Sequence, residues 1–232
     1  MPKKGANISL SSYDDIFSTE ESRADQAAEK VQEIPLSELH PFKNHPFKVL
    51  DDESMERIVE SIRRYGVMVA AIARPSPDGG YEMISGHRRK RACEKLGIET
   101  LRCEVVDMNK EEATILMVES NFQRSEILPS EKAFAYKMRY DAMKKSVGRP
   151  SNDKLVPVGL ISETGATRET MAQTSLDSET QIQRYIRLTN LVPELLDFVD
   201  EGKIKMRPAV ELSYLDEETQ RGVVDRIDET EA

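Results

Sequence analysis

Tyr81-Glu82-Met83-Ile84-Ser85-Gly86-His87-Arg88-Arg89-Lys90-Arg91-Ala92-Cys93-Glu94-Lys95-Leu96 is the stretch on which the fold turns. Its first four residues read as a short strand. Ser85-Gly86 breaks it, and His87 to Leu96 reads as a helix closed by Gly97. A strand running through glycine into a helix leaves free N–H groups and partial positive charge at the turn, an arrangement that receives anions. Glycine there lets the backbone approach a phosphate closely. Ala92, Cys93 and Leu96 form the buried stripe of the helix, and Arg89 lies in line with it. A guanidinium so placed needs a partner, either a carboxylate or a ligand phosphate. Basic residues at a helix start also oppose the helix dipole unless an anion is present. A solvated basic turn with one internal salt bridge is the plainer reading of the same residues.

Working outward, Asp51-Asp52-Glu53 opens a helix through about Tyr65. Met55, Ile58, Val59 and Ile62 form its stripe, and Gly66 ends it. Val67 to Arg74 is β-rich, Pro75 to Gly80 is a turn, and Leu101 to Val106 reads as a third strand. Lys110 to about Ser120 is a further helix. Upstream, Ile34-Pro35-Leu36 is a short extended segment, and two prolines make His40 to Phe47 an extended, ordered loop. Residues 1–33 read as a disordered acidic arm. After Pro129 the pattern turns helical: Ser130 to Lys145, a linker over 146–153, then short helices near 167–174, 178–190, 193–201 and 207–215. Gly148-Arg149-Pro150 in the linker is weak as a minor-groove motif. The expected fold is α+β, a small α/β domain over 34–128 followed by an all-helical domain over 129–215, with an acidic tail at 216–232.

The chain has 232 residues and a net charge of −9. Residues 1–38 carry a net −4 and residues 216–232 a net −5, so 39–215 is neutral overall. Acidic ends around a neutral body leave nucleic acid open as a partner, because local patches decide binding. With no Trp and only 6% aromatics, a carbohydrate-stacking site is not expected. The two cysteines, Cys93 and Cys103, make no metal pattern with three scattered histidines and read as reduced thiols. The longest apolar run, Val67 to Ala73, is far short of the ~20 residues that span a bilayer. A cytoplasmic protein without membrane contact is expected.

Two more segments carry chemistry. Glu119 to Ala133 packs amides, carboxylates and guanidinium groups between two helices, which suits metal-phosphate or base-edge contacts as well as a capped helix junction. Thr167 to Thr174, a turn at Ser175-Leu176-Asp177, and Ser178 to Asn190 read as a helix pair. Ser178 and Gln181 have capping-box spacing. Thr180, Gln181 and Arg184 suit a recognition helix, with Gln183, Arg187 and Arg168 as further DNA candidates.

Gly-His-Arg-Arg-Lys-Arg-Ala (86–92) resembles the Gly-Glu-Arg-Arg-x-Arg-Ala box of the ParB partition-protein family. Asn-Phe-Gln-Arg (121–124) followed by Leu-Pro-Ser-Glu-Lys-Ala (128–133) resembles its Glu-Asn-x-Gln-Arg…Leu-x-Pro-x-Glu-x-Ala box. The upstream His-Pro-Phe-Lys segment, Ser61 to Gly66, and Ala73-Arg74-Pro75 fall in the family's order, so the resemblance covers about 34–215. It implies a nucleotide-binding domain that takes CTP with Mg²⁺, then a helix-turn-helix domain that binds a centromere-like site on double-stranded DNA. It further implies a nucleoid-associated homodimer acting with a ParA-type ATPase in plasmid, chromosome or mobile-element segregation. On this resemblance Gly86, His87, Arg88, Arg89, Asn121, Gln123 and Arg124 hold the nucleotide, with Asn121 at the metal. His87 and Ser120 stand where the pattern has glutamates. Glu119 is one residue early, and CTP turnover is expected to be weak at most, although His87 is expected to exchange a proton near neutral pH. The alternatives from other classes are a sequence-specific repressor using the same helix-turn-helix without nucleotide gating, and a ParB-like nuclease.

Overall fold

The computed structural model describes residues 31–124, 127–147, 171 and 177–231. The arm before Val31, the 148–153 part of the linker, most of the 167–174 helix, and Arg168 lie outside them. Five strands form one mixed sheet: β1 (Val31–Pro35), β2 (Leu39–Pro41), β3 (Ala71–Pro75), β4 (Tyr81–Ser85) and β5 (Thr100–Val105), in spatial order β1-β5-β3-β4-β2. β1 runs antiparallel to β5, β5 parallel to β3, β3 antiparallel to β4, and β4 parallel to β2. The register slips between Ile72 and Ala73, a bulge beside Ser85 at the end of β4.

β2 is a strand where Pro41 and Pro46 predict an extended loop. It is three residues long and exists through its partner, with Leu39 facing Tyr81 and Pro41 facing Met83. The described residues include Val31, whose strand covers the β5 edge, three residues before the expected domain start.

α1 (Glu53–Tyr65) is capped by the Asp52 carboxylate, which accepts from Met55 N at 2.8 Å, and Gly66 closes it. α2 is His87–Leu96, and α3 is Lys110–Phe122 with a full capping box between Asn109 and Glu112. Ala71, Met83, Ala92, Leu101 and the two cysteines are fully buried where α1 and α2 cover the sheet. Both thiols are free, and burial pushes the Cys103 thiol up to about 11.

α4 (Pro129–Val147) leads into the helical half: α5 (Glu179–Leu188), α6 (Pro193–Asp200), α7 (Met206–Leu212) and α8 (Glu217–Glu231). Ala133 and Tyr136 of α4 join the core of the helical half, while Ala135 joins a core with Phe42, Phe47, Ile84 and Met117. Only Phe134, Lys137, Asp141, Lys144 and Lys145 among its described side chains are exposed. α4 is therefore buried from two sides, and its exposed residues fall on one strip at helical spacing.

The segment expected to be an acidic tail is a correction. It is α8, started by Asp216, whose carboxylate accepts from Thr219 N at 2.9 Å. Val223, Val224 and Ile227 pack on the helical core. Gln220 is 2% exposed; it accepts from Val192 N at 2.8 Å and donates to Asn190 O and Leu215 O at 3.1 and 3.0 Å. The acids occupy the outer face and hid this inner one.

Candidate nucleotide and DNA sites

β4 delivers Gly86 with φ 106°, a left-handed backbone that L side chains rarely adopt, and a Cβ there would lie 2.7 Å from the Ala71 Cβ. Glycine is required by conformation and by space. α2 then starts with no side-chain cap and no acid in its first turn. Lys90 N donates to Gly86 O, while the N–H groups before it have no partner within the helix. The bend is an electropositive helix start open to an anion.

The basic side chains around it are held by neighbours. Arg88 donates to Ser54 Oγ and, at 3.4 Å, to Asp52 Oδ1. Arg91 pairs with Asp51 at 2.7 Å, an exposed pair that depresses the Asp51 carboxyl and raises the Arg91 guanidinium. Lys90 Nζ donates to Leu39 O at 2.5 Å. Arg89, the residue in line with the buried stripe, has neither of the partners expected for it in this structure. Its Nη1 donates to the carbonyls of Val69 and Ala70, at 2.5 and 2.7 Å, and no carboxylate of the described residues pairs with it. Burial pushes its pKa down. A half-buried guanidinium with only dipoles around it keeps its demand for an anion.

His87 corrects another expectation. Its ring lies 4.0 Å from that of His45, and the Nε2 atoms of both are buried without a partner. Burial, then the nearby His45, Lys90 and Arg124, push the His87 pKa down to about 3. His87 is neutral throughout the physiological range and does not exchange a proton near pH 7. His45 donates Nδ1–H to Phe47 O at 2.9 Å, and burial lowers its pKa too.

At the end of α3, Asn121 Nδ2 and Ser120 Oγ both donate to Met117 O at 2.9 Å. Asn121 thereby keeps its amide oxygen available. Gln123 is exposed at the helix end, and Arg124 follows, close enough to depress both histidines. Glu119 does not substitute for the carboxylate missing at Ser120. Its Oε1 accepts from Arg139 Nη2 at 2.7 Å, and Arg139 is 2% exposed. Among the described residues no three of His, Cys, Asp or Glu are grouped to hold a metal. Mg²⁺ is commonly bound by one or two carboxylates together with phosphates and water. Of the residues predicted for the metal, Asn121 offers it an amide oxygen, and phosphates and water would have to supply the other ligands.

α5 presents the other candidate face. Ser178 caps it, Ile182, Tyr185 and Leu188 are buried, and Thr180, Gln181, Gln183 and Arg184 are exposed together. Gln183 is within 3.4 Å of Glu179 Oε1, and Arg184 has no polar partner among the described residues. Arg187, also expected to contact DNA, is half-buried and held within the chain. It donates to Ser213 Oγ and O, at 3.2 and 3.0 Å, and its guanidinium sits 3.9 Å from the Tyr214 ring centroid. It fastens α5 to α7.

A family model described as the ParB N-terminal domain matches residues 20–122, and one described as the ParB HTH domain matches residues 158–232. The chain belongs to the ParB family. A nucleoid occlusion protein of Geobacillus sp. (strain WCH70) is 36% identical over 118 residues, 50% of this chain and 42% of that protein. The chromosome-partitioning protein Spo0J of Thermus thermophilus is 28% identical over 188 residues, 81% of this chain and 61% of that protein. The chain thus spans about two fifths to three fifths of the length of these two relatives. A solved N-domain of a pNOB8-like ParB is 17% identical and covers 85% of this chain and 84% of that chain, with a TM-score of 0.50, a likeness of fold.

In this ParB chain the Leu-Pro-Ser-Glu-Lys-Ala box is a junction of three elements. Ser130 donates N–H and Oγ–H to Asp200 of α6 at 2.9 and 2.5 Å. Glu131 accepts from Lys48 N at 2.7 Å and Leu128 N at 3.2 Å. Lys132 reaches Asp177, just before the α5 cap, at 3.1 Å, and Tyr136 donates to the same carboxylate oxygen at 2.7 Å. The sequence signalled a capped helix here but not the three destinations, which depend on tertiary placement. No helix among the described residues is long and apolar enough to cross a membrane.

Proposed function

We propose that this ParB chain is a DNA-binding partition or nucleoid-occlusion protein of the nucleoid and cytoplasm. It reads a centromere-like duplex site with Thr180, Gln181, Gln183 and Arg184 of α5, with Arg168 as a further contact. CTP with Mg²⁺ occupies the start of α2. There the first-turn N–H groups, Arg88 and Arg89 receive the triphosphate, Gly86 permits its approach, and Asn121, with Gln123 and Arg124 beside it, offers an oxygen to the metal. The names of the two relatives support chromosome partitioning or nucleoid occlusion over plasmid maintenance. A homodimer working with a ParA-type ATPase completes the proposal.

The observation that carries the nucleotide half is Arg89, a half-buried guanidinium at an uncapped helix start with two carbonyls and no carboxylate beside it. Turnover is slow on this reading, because Ser120 lacks a carboxylate, Glu119 is committed to Arg139, and neutral His87 has no charge to offer Mg²⁺. Calorimetric titration of CTP, with and without duplex enriched by this chain from a randomised pool, tests it. Saturable CTP binding with little phosphate release is expected. DNA binding with no CTP binding would make the chain a sequence-specific repressor.

A further inference from the structure

Six rings form a continuous series from one proposed site to the other. His87 meets His45 at 4.0 Å, His45 meets Phe47 at 5.6 Å, and Phe47 meets Phe122 at 6.3 Å. Phe122 meets Tyr136 at 4.7 Å, and Tyr136 meets Tyr185 of α5 at 5.8 Å. These separations are typical of packed aromatic pairs. The series starts on the first residue of α2 and ends on the buried face of the helix proposed to read DNA.

Phe122 stands at its centre for a structural reason. It packs against the core that holds Phe47 and Met117 and also against the helical core that holds Tyr136 and Tyr185. Hydrogen bonds reinforce both flanks. His45 is tied to Phe47 O, and Lys48 N to Glu131 of α4. Beyond Phe122, Tyr136 holds Asp177, next to the α5 cap. Close-packed rings shift between discrete arrangements rather than deform smoothly, so a turn of the His45 ring must be accommodated by its neighbours.

We propose that Phe122 is a positioning residue that couples occupancy of the α2 end to the orientation of α5, with His87 at the near end of the series and His45 next to it. The inference rests on the proposed reading of both sites. Continuity in space becomes coupling only when each ligand changes the affinity of the other by the same factor.

The test is the ratio of CTP affinities with and without saturating enriched duplex, in wild type and in Phe122→Leu. The wild-type ratio is expected to depart from one by at least about fivefold. Phe122→Leu should bring it within about twofold of one, with each ligand alone bound about as in wild type. A ratio unchanged by Phe122→Leu overturns the proposal. A wild-type ratio of one with both ligands bound also overturns it, and leaves the two sites standing. If CTP does not bind wild type, the nucleotide reading fails, and amide exchange judges the ring series by itself. In His45→Ala, or His45→Gln should that variant not fold, faster exchange over 179–188 with 53–65 unchanged supports the series. Unchanged exchange over 179–188 overturns it.

Discussion

α2 and α5 are both ten-residue helices; α2 carries three arginines and α5 two, and Arg184 of α5 is held unlike any on α2. On α2, Arg88, Arg89 and Arg91 are each fixed by a loop or by the start of α1. On α5, Arg184 has no polar partner among the described residues, and the residues beside it on the exposed face are short or flexible. Groups fixed before the ligand arrives lose little freedom on binding it, which suits a small ligand with little contact area. A face left free loses rotamer entropy on contact, but it can adapt to a long duplex whose phosphates supply much of the affinity. Arg187 sits on α5 yet is held like the arginines of α2, so it separates position from function.

The largest effect is expected where a fixed group is removed. Arg89→Ala should weaken CTP binding by about 1.5–3 kcal/mol, the range for hydrogen bonds to a charged group. Calorimetry on the variant, shown folded by circular dichroism, checks this, and an unchanged affinity would remove Arg89 from the site. Next, Arg184→Ala should cost about 1–3 kcal/mol on the enriched duplex and relax selectivity at one base position. A gel shift in which variant and wild type discriminate equally would break the contrast between the two helices.

A smaller effect is expected with pH. The His87 pKa is about 3 in the folded chain, against 6.5 for a free imidazole side chain. Between these values the unfolded chain binds the extra proton, so stability rises with pH in this window and falls on acidification below about pH 6.5. The slope reaches at most about 1.4 kcal/mol per pH unit from this group. Urea unfolding from pH 7 to 5 should show it, and His87→Gln should flatten the curve; an equal slope in the variant would mean that other groups carry it. The smallest effect belongs to Arg187→Ala. It should lower stability by about 1 kcal/mol through the lost ties to Ser213 and Tyr214. Binding to enriched and random duplexes should then fall equally, and a selective loss on the enriched duplex would return Arg187 to the reading face.

What the sequence disclosed was mostly local. Asp52, Gly66, Gly86 and Ser178 act within a few residues of themselves, so α1, the α2 bend and α5 were legible from spacing. β2 was not, because three residues beside prolines become a strand only when β4 lies alongside. The stripe on α2 showed that Arg89 needed a partner, but the partner is a pair of carbonyls on a loop that only the folded sheet brings near. His45 and His87 were read separately, one in a loop and one at a helix start, and their contact changes the chemistry of both. For α8, charge outvoted the inner row of Val223, Val224 and Ile227.

The two-sided burial of α4 has a consequence for dissecting the molecule. A fragment ending at Leu128 would leave Phe47, Phe122 and Met117 without the helix that covers them, and a fragment beginning at Pro129 would carry Ala135 and Met138 bare. Exposed apolar patches of this kind drive self-association. The obvious cut between the two halves is therefore the one to avoid. A piece meant to report on the nucleotide site alone should retain α4 through Val147, with the apolar positions that normally face the helical half changed to polar ones.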